Sequence, residues 1–283
     1  MMVNTISEGN KAVTKTELAK KLGIARSSLY YQHKRPVIDE EVKKQIEAVL
    51  TDNPAYGHKR IALALKLNKK RILRVMKKFG LKPYKRRVKK PRKKEDEKKP
   101  IAKYQNLVKD VKPVKRNEIW VSDFTYIRFK EKFIYLATIM DLFSREIVGF
   151  NISRFHNSEL VLGALDAAAG KNHPPGYLHS DQGSEYDSQR YTNLAEGLGI
   201  KISMSAKSSP WENAYQESFY SQFKVDLGRT DRFNELGELI EAISGTLLYY
   251  NTKRIHTSLK MPPEEYRKRA QEMKDSSSRK MGT

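Results

Sequence analysis

Three acidic side chains in the second half of the chain stand where a carboxylate needs a reason to be. Asp123 lies inside the apolar stretch Ile119-Trp-Val-Ser-Asp-Phe-Thr-Tyr-Ile127, where burying a carboxylate is costly unless it binds something. Asp181 directly follows Tyr177-Leu-His-Ser180 and precedes Gln182-Gly183, the strand-end position where α/β folds place ligand groups. Glu217 sits in a helical stretch that opens at Pro210. Taken singly, each has an ordinary explanation: a strand-edge charge, a turn residue, a helix-surface glutamate. Together they are a set of hard oxygen donors. Three carboxylates can hold two Mg²⁺ ions about 3.5–4 Å apart, with water and phosphate completing the coordination. That is the equipment of phosphoryl transfer, in which one ion activates a water or 3′-hydroxyl and the other stabilises the leaving 3′-oxygen. No Ser/His/Asp set competes: the six histidines are scattered, and His58 and His173 read as structural or exposed.

The elements that must carry these acids are legible in the pattern. Residues 118–127, 133–140 and 146–153 are apolar or alternating and rich in β-formers, separated by short charged turns, and predict three successive strands. A helix over 158–169, a short strand at 176–179, a helix over 188–198 and a strand at 200–203 come next. Two long helices close the series, from Pro210 to about Leu227 and over 236–250. The order predicts an α/β domain with a mixed sheet flanked by helices. At about 100° per residue, Asn213, Glu217, Tyr220 and Lys224 share one face of the Pro210 helix. Trp211, Ala214, Tyr215, Phe219, Phe223 and Val225 fall on the opposite, core arc.

The first half differs in kind. Residues 1–116 carry 34 basic and 11 acidic side chains, against 21 and 22 in 117–283, so the whole net charge of +22 lies ahead of the acids. Such an excess favours a polyanionic partner, because each neutralised phosphate releases counterions. The stretch 16–31 reads as two short helices around a turn at Gly23, with Leu18, Ala19 and Leu22 packed on Ile24, Leu29 and Tyr30. Arg26, Ser27 and Ser28 then open a recognition helix. A second helix-turn-helix unit is expected over 37–81, with Lys59, Arg60, Lys70, Arg71, Arg74 and Lys77 on its polar side. Residues 82–103 hold 12 basic and three acidic side chains with Pro83, Pro91 and Pro100, the composition of an extended linker. The absence of cysteine excludes disulfides and thiolate ligands and fits a reducing cytoplasm. No apolar run approaches the roughly 18 residues that a bilayer span requires.

Thirty-five residues separate Asp181 from Glu217, and here the chain resembles a known group. The spacing is that of the Asp-Asp-35-Glu transposases and retroviral integrases. The strings Trp120-Val-Ser-Asp-Phe-Thr-Tyr-Ile127, His179-Ser-Asp-Gln-Gly-Ser-Glu-Tyr186 and Pro210-Trp-Glu-Asn-Ala-Tyr-Gln-Glu-Ser-Phe219 are similar to bacterial insertion-sequence transposases of family three, the copy-out–paste-in group. So are Tyr56-Gly-His-Lys-Arg-Ile61 and Tyr250-Asn-Thr-Lys-Arg-Ile-His-Thr-Ser-Leu259. Departures from the usual pattern fall at Ser208 and Glu212. The resemblance implies an RNase H-like core with a mixed five-stranded sheet, preceded by small all-α helix-turn-helix modules. It implies Asp123, Asp181 and Glu217 as catalytic acids that bind two Mg²⁺ ions, with Mn²⁺ able to substitute. Its implied partners are double-stranded DNA, both terminal inverted repeats and target, and further copies of the chain as a dimer or larger homo-oligomer. Its implied location is the bacterial cytoplasm, at the nucleoid. DNA contacts are assigned to Arg26, Ser27, Ser28, Lys59, Arg60, Arg86, Arg87, Asn213, Lys224, Arg254 and His256. The expected division is 1–36 and 37–81 for the two helical modules, 82–114 for the basic linker, 115–270 for the catalytic core and 271–283 for a disordered tail.

Overall fold

A computed structural model describes residues 14–30, 35–84, 104–109, 111–205 and 214–281, with side chains through 276. Arg86, Arg87, Asn213, Ser208, Glu212 and residues 85–103 and 110 of the basic linker lie outside the described residues.

The first helix, α1 (Lys15–Lys21), is closed at its start by a capping box. Glu17 N–H donates to Thr14 Oγ1, and the Thr14 N–H donates to Glu17 Oε2 at 3.0 Å, satisfying two of the donors a helix start leaves over. Gly23 turns the chain at φ +66°. The next element is a single 3₁₀ turn, Arg26–Tyr30, instead of the expected second α-helix. Ala19 is buried, but Leu22, Ile24 and Tyr30 stay exposed, so the small core expected there does not close among the described residues. So short a unit has too little apolar surface to cover these side chains by itself.

Helices α2 (Arg35–Asp52), α3 (His58–Ala64) and α4 (Lys69–Lys78) do form a packed module. Val42 and Ile46 of α2 meet Ile61 and Ala62 of α3 and Ile72, Val75 and Met76 of α4. Asn68 caps α4 by accepting from Lys70 N–H at 2.8 Å. Arg74 and Lys78 converge on the buried Asp39, so Arg74 is committed to this module.

The larger part is a five-stranded sheet of order β3-β2-β1-β4-β5. Strands β1 (Ile119–Phe129), β2 (Lys132–Asp141) and β3 (Ile147–Ser153) form an antiparallel meander; β4 (Tyr177–Ser180) pairs with β1 and β5 (Lys201–Met204) with β4, both in parallel. Parallel strands need crossovers, which α5 (Ser158–Ala169) and α6 (Gln189–Gly197) supply. Alternation on the strands splits the interior in two. Trp120, Ala137, Ile139, Leu178 and Ile202 face α5 and α6, whereas Ile119, Val121, Leu136 and Met140 face α7 (Ala214–Leu227) and α8 (Leu236–Thr252). Helix α5 lies so close to β3 that a Cβ on Gly149 would come within 2.6 Å of Ala168 Cβ. The last helix, α9 (Pro263–Met281), runs through most of the stretch expected as a disordered tail. Its start is tied to the core by Arg267, which pairs with Glu146 at 3.1 Å. No described helix is long and apolar enough to cross a membrane.

Candidate active site

Two of the three acids are brought abreast by strand register. Val121 of β1 pairs with His179 of β4, and the strands run in parallel, so Asp123 and Asp181 each lie two residues beyond the same rung. Strand β4 ends at Ser180. The edge of β1 beyond that rung therefore opens at the carboxyl ends of the parallel strands, where such folds leave a crevice. Asp181 is braced by Gly183 N–H, which donates to its Oδ1 at 3.0 Å.

Glu217 is delivered by the residue before it. Gln216 is fully buried, and its Nε2 donates to Val121 O at 2.8 Å on β1 and to Thr138 O at 3.3 Å on β2. Thr138, which is the partner of Asp123 across the β1–β2 ladder, donates to Gln216 Oε1 at 3.2 Å. One turn further on, Tyr220 OH donates to Asp123 O at 2.6 Å and lies 2.8 Å from Thr138 Oγ1. These bonds set the rotation of α7 on the sheet. The helix buries Gln216, Phe219, Tyr220, Phe223 and Leu227 and leaves Glu217 exposed at the open edge.

This corrects the face assignment made from periodicity. Tyr220 belongs to the buried face, while Tyr215 is 51% exposed, with the Arg145 guanidinium 3.8 Å from its ring centroid. A helical wheel weighted by apolarity has no place for a buried glutamine. Sequence reasoning accordingly missed Gln216 and Thr138 and put Tyr220 on the open face; the polar atoms of all three are interior because each finds a partner there.

The field at the site is short of positive charge. Burial pushes the Asp123 carboxyl up to about 7, and the nearby Asp181 and Glu217 push in the same direction; Phe124 N–H and Lys224 oppose them. Asp181 is also raised, chiefly by burial, with Glu185 adding to the effect. Among the described residues, no three His, Cys, Asp or Glu side chains stand close enough to hold one ion together. The three acids are thus coupled through their fields across an open edge.

Asp141 is a useful contrast. It is fully buried one strand away, yet it accepts from Asn117 N–H, Ser144 N–H and Ser144 Oγ at 2.7–2.8 Å, the bonding of a structural acid.

Models of an integrase core domain match residues 113–210 and 198–263. The chain is 36% identical over 241 residues to the transposase for insertion sequence element IS904 of Lactococcus lactis, covering 80% of this chain and 94% of that protein. It is 34% identical over 263 residues to InsK, the transposase assigned to element IS150 of Escherichia coli K12, covering 89% of this chain and 92% of that one. The chain belongs to the IS3 family of DDE transposases. A simian T-cell lymphotropic virus intasome, solved with the PP2A regulatory subunit B56 gamma, superimposes with a TM-score of 0.50 at 16% identity, covering 79% of this chain and 74% of that one. That likeness is one of fold. The transposase is a polynucleotidyl transferase built on an integrase-type core.

The structure separates the transposase's predicted DNA-contact residues into two groups. Arg26, Ser27, Ser28 and Lys59 are exposed. Arg60, Arg254 and His256 are instead turned inward, against the expectation from sequence. Arg254 is 1% exposed, forms an ion pair with Asp226 and donates to Gln222 Oε1 at 2.8 Å. Arg60 donates to Ile255 O at 3.0 Å and to the same Gln222 oxygen at 3.3 Å. Burial, together with Arg145, Arg254 and Arg60, pushes the His256 imidazole down to about 4, so it is neutral near pH 7. Tyr56 OH accepts from Ile255 N–H at 2.8 Å, and Tyr249 OH donates to Asn53 Oδ1 at 2.6 Å. Two basic motifs that read as DNA contacts therefore seat the α2–α4 module on α7 and α8. Lys224 is half-buried, with its Nζ 4.7 Å from the Tyr126 ring centroid.

Proposed function

We propose that the transposase cleaves the 3′ ends of its element and joins the freed 3′-hydroxyls to a second DNA site, using Asp123, Asp181 and Glu217 as its metal-binding acids. The observation that carries this reading is the β1–β4 register, which sets Asp123 and Asp181 abreast, with Glu217 of α7 near enough to act on Asp123. Such a set carries more negative charge than Lys224 offsets, and hard divalent cations fit it. When bound, two Mg²⁺ or Mn²⁺ ions supply activation of the attacking oxygen and stabilisation of the leaving one. The chain's own residues do the rest. Asp123 holds its ligand atoms on β1 and Asp181 just past the end of β4, Gln216 and Tyr220 hold α7 so that Glu217 faces them, and Lys224 neutralises a phosphate as the strand enters. Arg26, Ser27, Ser28 and Lys59 read the terminal inverted repeats, and Arg86, Arg87 and Asn213 contact DNA. The division into two helical modules, linker and core, action by a dimer or larger assembly on paired ends, and a cytoplasmic, nucleoid-associated location belong to the same proposal.

The test is direct. Asp123→Ala, Asp181→Ala and Glu217→Ala are each expected to abolish cleavage and joining of element-end duplexes while leaving end binding largely intact. Joining near the wild-type rate by any one of them overturns that residue's assignment.

A further inference from the structure

One face of the β1–β2 hairpin carries a row of aromatic rings: Phe124 and Tyr135 are partly buried against the α5–α6 side of the core, and Tyr126 and Phe133, toward the tip, are exposed. Beyond Ala137, which packs on α5, the outward positions of β1 are Phe124, Tyr126 and Arg128, and those of β2 are Tyr135 and Phe133. Tyr126 and Tyr135 face each other in register, and Phe133 meets Tyr126 edge-on at 5.2 Å between centroids. At the inner end His156 lies 5.0 Å from Tyr135 and stacks on Phe124 at 6.4 Å. Tyr126 is 60% and Phe133 48% exposed. Alternating strands ordinarily put polar residues on an uncovered face, and single exposed rings are common, but a contiguous row marks a contact surface.

The row's position and charge point to its occupant. Phe124 immediately follows Asp123, and its own N–H donates to that carboxylate at 2.8 Å, so the row begins at the candidate active site. Lys224 lies over Tyr126 at 4.7 Å and also acts on Asp123. Arg128 and Lys130 stand at the hairpin tip, with Glu131 as the opposing charge. Rings spaced among cations are what an unpaired nucleic-acid strand requires, since every base offers a π-face and every linkage a phosphate. An apolar protein segment would have no use for the lysine.

We propose that Tyr126 and Phe133, the exposed outer end of this row, are a stacking platform for unpaired nucleobases of the DNA strand adjoining the reacting end. The transposase then holds a frayed terminus, with bases on Tyr126 and Phe133 and phosphates at Lys224 and Arg128, while the reacting linkage lies at the acids. This rests on the functional reading above and adds its substrate form: an end opened over its last few nucleotides.

The experiment compares two element-end duplexes, one fully paired and one with a three-nucleotide unpaired tip carrying 2-aminopurine. Wild-type protein is expected to bind the frayed duplex about tenfold more tightly and to quench its 2-aminopurine, as the stacking of one or two bases implies. The Tyr126→Ala/Phe133→Ala variant loses both the preference and the quenching, keeps its affinity for the paired duplex within about twofold, and melts like wild type. Tyr126→Phe keeps both, because the ring suffices. No preference or quenching by wild type, a preference that survives in the double variant, or equal losses on both duplexes overturns the platform. So does a change in oligomeric state by sedimentation, which marks a protein interface instead. Quenching is read without metal or turnover, so its result stands apart from whether Asp181→Ala stops joining, which decides the functional reading.

Discussion

Asp123 and Asp141 lie on neighbouring strands, and what surrounds each carboxylate separates their roles. Asp141 is wrapped by three donors; Asp123 takes Phe124 N–H and faces Asp181 and Glu217. A carboxyl raised from 3.8 to about 7 favours the folded state while protonated. Its contribution is fully present below the unfolded pKa and is lost as pH rises through the folded value. In chelator, wild-type protein should therefore lose stability between about pH 4 and pH 7 relative to Asp123→Asn, and divalent metal should remove the difference above pH 7. Melts at pH 5 and pH 8 with and without Mg²⁺ check this, and parallel pH curves for the two proteins count against it. Lys224 belongs to the same scale. Lys224→Ala is expected to change stability by roughly 0.5 kcal/mol or less while sharply reducing strand joining. Unchanged joining would return it to a side chain that merely covers Tyr126.

At the scale of elements, the relation that matters is the seating of α7. Its amphipathic pattern puts Phe219 and Phe223 on the sheet, but apolar contact tolerates small rotations; directional bonds do not. Gln216 and Tyr220 supply those bonds to β1 and β2. Gln216→Leu leaves Val121 O and Thr138 O without this donor, so the protein should lose about 1–3 kcal/mol of stability. Joining should fall further than the folded fraction does, because Glu217 is no longer held toward the strands. A loss of activity that only tracks unfolding would make Gln216 a structural residue alone. Denaturant titration alongside single-turnover joining distinguishes the two.

For the whole molecule, the α2–α4 module and the core are joined through Arg60, Arg254, Gln222 and Asp226. Removing one member of a buried ion pair strands the other, so Arg254→Ala is expected to cost about 3–5 kcal/mol. The sequence preference of end binding should stay unchanged, as measured by competition between element-end and unrelated duplexes. A selective loss for element ends would instead make Arg254 a reader of DNA. The linker calls for the opposite experiment. Changing Lys89, Lys90, Lys93 and Lys94 to Gln should weaken binding to all duplexes alike. The slope of log affinity against log salt should fall by about 0.9 for each phosphate that is no longer neutralised.

From sequence alone, the strand and helix pattern of residues 118–250 was legible because alternation and the helical period are local properties, and each matched a structured element here. The three acids were legible as a set, and the strand register and the rotation of α7 turn them toward one open edge. The destiny of the basic side chains was not legible. Arg60 and Lys59 are neighbours in the chain, yet one is bound inside and the other is exposed. A guanidinium has the same composition whether it meets a phosphate or a buried carbonyl, and only the docking of α3 on α7 and α8 decides which. Gln216 was hidden for the same reason. A polar residue is buried when the tertiary structure offers it partners, and those partners, on β1 and β2, lie 95 and 78 residues away.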